Sequence, residues 1–323
     1  MDMIGFIFGF SAVCGLLLTY LGGEMLETVV DAITNPSVET GAAGQCAAMG
    51  ILAFISNNKI KIAEQGGIQL ISEAMTNHTS VAVVQAQGCA ALWSLALDDD
   101  NQIKIAEQGG IQQILDATTN HKSVAGVQEW GCRALMNLAT SPDNQIKIAK
   151  QGGIDRIIDA MTNHRSVAGI QEQCCGALGN LAANPDNQIK IAEQIWWDSG
   201  QLSGIQQILE AMTNHKSMAG VQENGCGALG NLVNKNPDNQ IKVAEQGGIQ
   251  LILEAMTNHT SVSGVQEQCC RALMNLGWSN QNLQQQIKTA GAELVVRRAL
   301  GASNATSTTK EKGQMLLDWL GKV

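Results

Sequence analysis

Aromatic side chains are scarce. The 323 residues include six Trp, four Phe and one Tyr, 3% of the chain. A large interior must therefore be filled by Ile, Leu, Val, Ala and Met. Basic residues are also few, 20 against 29 acidic ones, for a formal charge of −9. No cluster of Lys and Arg forms a phosphate-binding surface, so nucleic acid is excluded as an expected partner. No Lys or Arg precedes Lys59. The apolar run Ile4–Leu21 thus lacks the basic n-region of a signal peptide and the basic flanks of an oriented membrane span. Its 18 residues still reach the lower limit for crossing a bilayer. Two readings stand for residues 1–23: a helix capping one end of the fold, or a membrane or secretory segment.

Catalytic and metal-binding signatures are missing as well. No nucleophile stands with a base, and the Gly-Gly pairs close helices instead of opening one after a strand, so no phosphate cradle forms. The chain is expected to be non-enzymatic and to need no cofactor. All five histidines (His78, His121, His164, His215, His259) occupy one recurring Asn-His turn. One per repeat is a ladder, not a convergent set of ligands. Nine cysteines are an odd count. Six recur at one position (Cys46, Cys89, Cys132, Cys175, Cys226, Cys270) on an apolar stripe, where Cys acts as a small buried hydrophobe. Free thiols fit a reducing compartment, hence a cytoplasmic location, with membrane association through residues 4–21 as the alternative.

What the sequence has in abundance is repetition. The motif I-K-[IV]-A-x-Q begins at Ile60, Ile103, Ile146, Ile189 and Ile241, and T-N-H-x-S at Thr76, Thr119, Thr162, Thr213 and Thr257. The first four copies of the former are 43 residues apart, a period in the solenoid range. Each unit reads as three helices. In the copy at 144–183, Asp143-Asn144 is expected to cap a short helix that Gly152-Gly153 ends. A second follows, with Ile154, Ile157, Ile158 and Met161 on one face. Ser166 is expected to cap a third, with Ile170, Cys174, Ala177, Leu178 and Leu181 inward. Pro185, like Pro142 and Pro237, is expected to stop it. Lys61, Lys104, Lys190 and Lys242 each precede a Glu by three residues, which predicts solvated ion pairs.

The boundaries follow: a hydrophobic segment 1–23; a partial repeat 24–56; full repeats at about 57–98, 101–140, 144–183, 187–235 and 239–278; and a degenerate C-terminal cap 281–323. In the fourth full repeat, Ile195–Ser203 replaces one Gly and adds eight residues, including Trp196-Trp197, that resemble nothing else in the chain.

The pattern [NQ]-I-K-I-A-x-Q-G-G-I…G-C-x-A-L-x-N-L-A resembles the armadillo repeat. That resemblance implies an all-α right-handed superhelix, a solenoid of three-helix repeats. It also implies a scaffold or adaptor that binds an extended peptide or partner protein along a concave groove lined by the third helices. In armadillo proteins the Asn of A-L-x-N-L contacts the peptide backbone, and here that residue is Asn137, Asn180, Asn231 and Asn275. Four residues earlier stand Arg133, Gly176, Gly227 and Arg271; four earlier again, Glu129, Glu172, Glu223 and Glu267. These positions share one helix face. The glutamates favour a partner with positive charge. Nuclear-import adaptors of this class carry Trp where Arg or Gly stands here, so basic-signal binding of that kind is not expected. The neutral alternative is that each Asn bonds the neighbouring helix and the charges form a solvated face.

Overall fold

The computed structural model describes residues 42–44, 46, 50, 58–193, 202–301 and 305–321. The run Ile4–Leu21 and the pair Trp196-Trp197 lie outside them. Every regular element among the described residues is an α-helix, and none is long and apolar enough to cross a membrane. The chain divides into two compact units, Met1–Gln151 and Gly152–Val323.

Unit 1 holds α1 (Asn58–Glu64), α2 (Gly67–Asn77) and α3 (Ala82–Leu95) as one layer. A second layer comprises α4 (Asp99–Glu107), α5 (Gly110–Asn120) and α6 (Ala125–Leu138), and α7 (Pro142–Lys150) follows. Unit 2 begins with α8 (Gly153–Asn163) and α9 (Ala168–Leu181). Three full layers come next: α10 (Pro185–Ala192), α11 (Gly204–Asn214), α12 (Ala219–Leu232); α13 (Pro237–Glu245), α14 (Gly248–Asn258), α15 (Ser263–Leu276); and α16 (Gln281–Thr289), α17 (Ala292–Leu300), α18 (Ser307–Leu320). The residues expected to form a degenerate cap thus make a complete three-helix layer.

The Gly-Gly joint works through two different demands. Gly109 sits at φ 79°, in the left-handed region that disfavours side chains. Gly110 leaves room for the helix before it, because a Cβ there would lie 2.5 Å from Ile105 Cγ2. In the fourth repeat the first glycine is gone, and Ser203 starts α11 with a capping box closed by Gln206. The S-x-x-Q spacing of Ser203 and Gln206 marks this start in the sequence.

Helix starts differ from expectation in two places. The prolines do not stop the third helices, which already end at Leu138, Leu181 and Leu232; Pro142, Pro185 and Pro237 open the next first helices at N1. A first-turn N–H has no intrahelical partner to lose, and the fixed φ suits the helix. The cap therefore falls one residue earlier, on Ser141, Asn184 and Asn236, and not on Asp143-Asn144. Ser166 does not cap α9 either. The Val167 N–H bonds His164 O at 3.0 Å, and this turn places extended Val167 at the cap.

The expected inward stripe is buried: Ile170, Cys174, Ala177, Leu178 and Leu181 are all fully enclosed. Third helices pack side by side through small residues. A Cβ on Gly179 would be 3.1 Å from Ala228 Cα, and one on Gly230 would be 3.3 Å from Ala272 Cα. The cysteines join this interior as free thiols. Burial pushes Cys175 and Cys270 up to about 12, so they are protonated and inert.

Buried carboxamides tie each layer to the one before it through Asn and brace it from within through Gln. Asn101 Nδ2 donates to Lys59 O of the preceding layer and to Leu95 O (3.1 and 3.2 Å), and Asn239 Nδ2 does the same to Gln188 O and Leu232 O (3.3 and 2.9 Å). Gln85, Gln128, Gln171, Gln222 and Gln266 each cover two carbonyls at the end of the second helix; Gln128, for example, reaches Thr118 O and His121 O. The histidine ladder is a third seam. The ring Nε2 of His121, His215 and His259 lies 2.8 Å from Thr79 O, Arg165 O and Lys216 O respectively. A carbonyl only accepts, so each Nε2 carries the proton in these contacts.

Candidate functional site: the third-helix face

On α6, α9, α12 and α15, the Glu and Asn positions of the stripe are partly exposed. Gly176 is buried; Arg133, Gly227 and Arg271 are partly exposed. The structure gives each unit its own version of this face.

In unit 1, Arg133 stacks on two indoles. Its guanidinium carbon is 4.2 Å from the Trp93 ring centre and 5.2 Å from that of Trp130, and the two rings are 5.4 Å apart. Trp93 comes from α3 and takes the x of A-L-x-N-L, while Trp130 and Arg133 come from α6. Asn137 Nδ2 reaches Trp93 O at 3.4 Å. Glu129 lies four residues before Arg133 on the same helix.

In unit 2, glycines replace most of that bulk. Asn231 Nδ2 donates to Gly179 O at 2.8 Å, and Asn275 Nδ2 to Gly230 O at 2.9 Å. Arg271 donates to Asn231 Oδ1 (2.7 Å), Gly227 O (3.2 Å) and Gln268 Oε1 (2.7 and 3.1 Å). It finds neutral acceptors and no carboxylate, and burial lowers its pKa. Asn180 occupies the corresponding place on α9.

One hydrogen of each of these three carboxamides therefore serves the fold, linking a third helix to its predecessor. The same bond exists where the motif is degenerate: Ser94 Oγ donates to Gly50 O at 2.8 Å. The spacing of stacked helices explains this reach, since the x residue of one layer lies beside the Asn of the next. A carboxamide has a second N–H and an acceptor oxygen besides.

The glutamates sit at the start of the following third helix. The Glu172 carboxylate occupies the space over Gly220 in the first turn of α12, and Glu223 does so over Gly264 in α15. Glu267 accepts from Thr306 and Thr309 hydroxyls at the head of α18, at 2.9 and 3.3 Å. An anion is favourable at such an N-terminus. Burial first, and the charges of Glu172 and Glu267 second, nevertheless raise Glu223 above the ordinary carboxylate range.

Among the described residues no ion pair joins Lys61, Lys104, Lys190 or Lys242 to its glutamate at i+3. The solvated chains gain too little there to offset their entropy. No group of three His, Cys, Asp or Glu could hold a metal among the described residues. An open depression of about 450 Å³ lies over the second helices, lined by Arg165, Gln206, Leu209 and Glu210 among others, and carries no catalytic grouping. Sequence reasoning missed the Trp93–Arg133–Trp130 stack, because its members come from two helices and only Arg133 lies on the repeating stripe.

The armadillo/beta-catenin-like repeat family matches residues 141–183, one of the copies that recur in register through the chain. Residues 141–183 are thus an armadillo repeat. A curated relative, Protein aardvark of Dictyostelium discoideum, is 52% identical over 52 residues, covering 14% of this chain and 7% of that protein. The chain thus matches only a small part of that relative's length. Among solved structures, an engineered protein aligns with a TM-score of 0.66 at 21% identity, covering 79% of this chain and 97% of that one. A designed armadillo repeat protein aligns at 0.60 and 16%, over 74% and 98%. A chain from a structure concerning the interaction between cadherin and beta-catenin aligns at 0.69 and 17%, over 89% and 57%. At these identities the likeness carries the armadillo fold alone.

Proposed function

We propose that this protein is a non-enzymatic scaffold of armadillo type that binds an extended peptide, or an extended segment of a partner protein, along the third helices of each unit. The observation that carries this reading is the partly exposed polar stripe itself. Its Glu and Asn positions recur eight residues apart on α6, α9, α12 and α15, partly exposed on all four, while the inward Cys, Ala and Leu positions of the same helices are buried. Hydrogen-bonding groups at that repeat suit a stretched backbone, which offers a donor and an acceptor per residue. On this reading Asn137, Asn180, Asn231 and Asn275 present their remaining donor or acceptor to the peptide. Glu172, Glu223 and Glu267 give unit 2 a preference for positively charged side chains, because a cation beside Glu223 relieves the repulsion from its neighbours.

The asparagines also hold layers together, so their removal does not separate binding from folding. Gly227 does. A Cβ there meets Gln268 Oε1 at 3.4 Å and Arg271 Nη2 at 3.6 Å, ordinary contacts with the ends of two flexible side chains and none with backbone. The experiment selects random dodecamer peptides from a display library on the full chain and measures their affinity for the wild type and Gly227→Trp. The indole fills the stripe, and binding is expected to weaken by about thirtyfold or more, the scale of a central interface residue, with the thermal midpoint unchanged or raised. Equal affinity of every selected peptide for both proteins would place binding elsewhere.

A further inference from the structure

We propose that Arg133 forms a carboxylate subsite on unit 1, which takes an Asp or Glu side chain of the bound peptide. The proposal rests on the third-helix reading and adds a ligand chemistry opposite in sign to that of the glutamate row in unit 2. The guanidinium lies over the Trp93 and Trp130 rings, which attract the cation through their faces and offer it no oxygen acceptor, so the indoles hold the group without satisfying its N–H donors. Among the described residues no hydrogen bond or ion pair involves Arg133.

Arg271, the same position in the stripe, shows what a structural arginine looks like in this fold: its donors are engaged by Asn231, Gly227 and Gln268. Arg133 has no such acceptors. The corresponding stripe on neighbouring α3 reads Ala86, Ala90 and Ser94, which are short and uncharged, and the Ser94 hydroxyl is turned to Gly50 O. Glu129 shares the helix with Arg133, yet no contact within 4.0 Å pairs them. A partly exposed guanidinium, immobilised, with open donors and room beside it, matches the planar two-oxygen geometry of a carboxylate.

The test takes the dodecamer peptides selected on the wild-type chain. Those with an acidic residue at one common position are remade with Glu→Gln or Asp→Asn there, and all are measured against wild type, Arg133→Gln and Arg133→Lys. On the wild type the amide peptide is expected to bind about tenfold or more weakly, the value of a charge-assisted hydrogen bond. Arg133→Gln is expected to cost the acidic peptide the same factor and the amide peptide almost nothing, a coupling that a merely structural role does not produce. Arg133→Lys is expected to restore the charge without the planar fork and to recover only part of the loss. The peptide exchange on the wild-type protein needs no protein variant, so misfolding of Arg133→Gln cannot decide the matter. Selected peptides with no common acidic position, or acidic and amide peptides that respond alike to Arg133→Gln, overturn the subsite and leave the scaffold reading intact. Failure to select any peptide overturns both.

Discussion

The third-helix faces of the two units are built on one plan and finished differently. In unit 1 the x position of α3 is Trp93, and an arginine of α6 lies on it with its hydrogen-bonding edge open. In unit 2 the x positions of α9 and α12 are Gly179 and Gly230, the helices approach until backbone meets an alanine, and Arg271 turns inward onto Asn231 and Gly227. The carboxamide seams are the same in both. Register is therefore set by residues that address backbone carbonyls, while the stripe and the x position are free to differ in size and charge. One arginine stays available and the other does not because unit 2 offers carbonyl and carboxamide acceptors at short range and unit 1 offers ring faces.

The sameness of the seams gives the largest expected effect. Asn101→Leu and Asn239→Leu each strip the donors from two buried carbonyls, and each is expected to cost about 2–3 kcal/mol, read from chemical denaturation. A large disparity between the two would break the claim of a common framework. The next effect distinguishes the units. Asn231→Ala removes a short bond to Gly179 and the acceptor of a buried guanidinium, for about 2 kcal/mol, whereas Asn137→Ala loses one long bond, for about 0.5 kcal/mol. Equal destabilisation would show that the unit 1 face is as tightly tied as that of unit 2.

The smallest effect belongs to Glu223. Its raised native pKa means that the folded protein holds this proton more tightly than the unfolded chain does, so stability falls as pH rises from the ordinary carboxylate value through the raised one. Glu223→Gln removes that slope. Relative to the variant, the wild type is expected to lose thermal midpoint as pH rises above the ordinary carboxylate value. Parallel profiles would mean that the first turn of α15 compensates the charge in full.

Much of this was legible in the sequence, because the fold is periodic and the period is printed in the residues. Ile170, Cys174, Ala177, Leu178 and Leu181 fall inward since a helix has one inner face and the motif keeps it apolar. The stripe Glu129, Arg133, Asn137 and its counterparts share a face for the same geometric reason. The caps were harder. Whether a proline ends one helix or begins the next depends on where the preceding turn closes, and Ser166 loses its role to a bond between Val167 and His164. The destination of each side chain was not legible at all. Arg133 and Arg271 occupy equivalent places, and only the residues of the neighbouring layer decide that one stacks and the other is absorbed. Likewise the histidines read as turn residues, and their reach to the carbonyl one layer back requires the stack.

A last consequence follows from what the seams recognise. Asn101, Asn239, His121 and His215 all grip main-chain oxygen of the layer before, the one feature every residue type presents. Such joints are indifferent to the identity of what they join. A gene segment encoding one unit can be copied, lost or shuffled and its product will still dock onto whatever precedes it, which leaves recombination free to lengthen the array and to rewrite its outer chemistry one segment at a time.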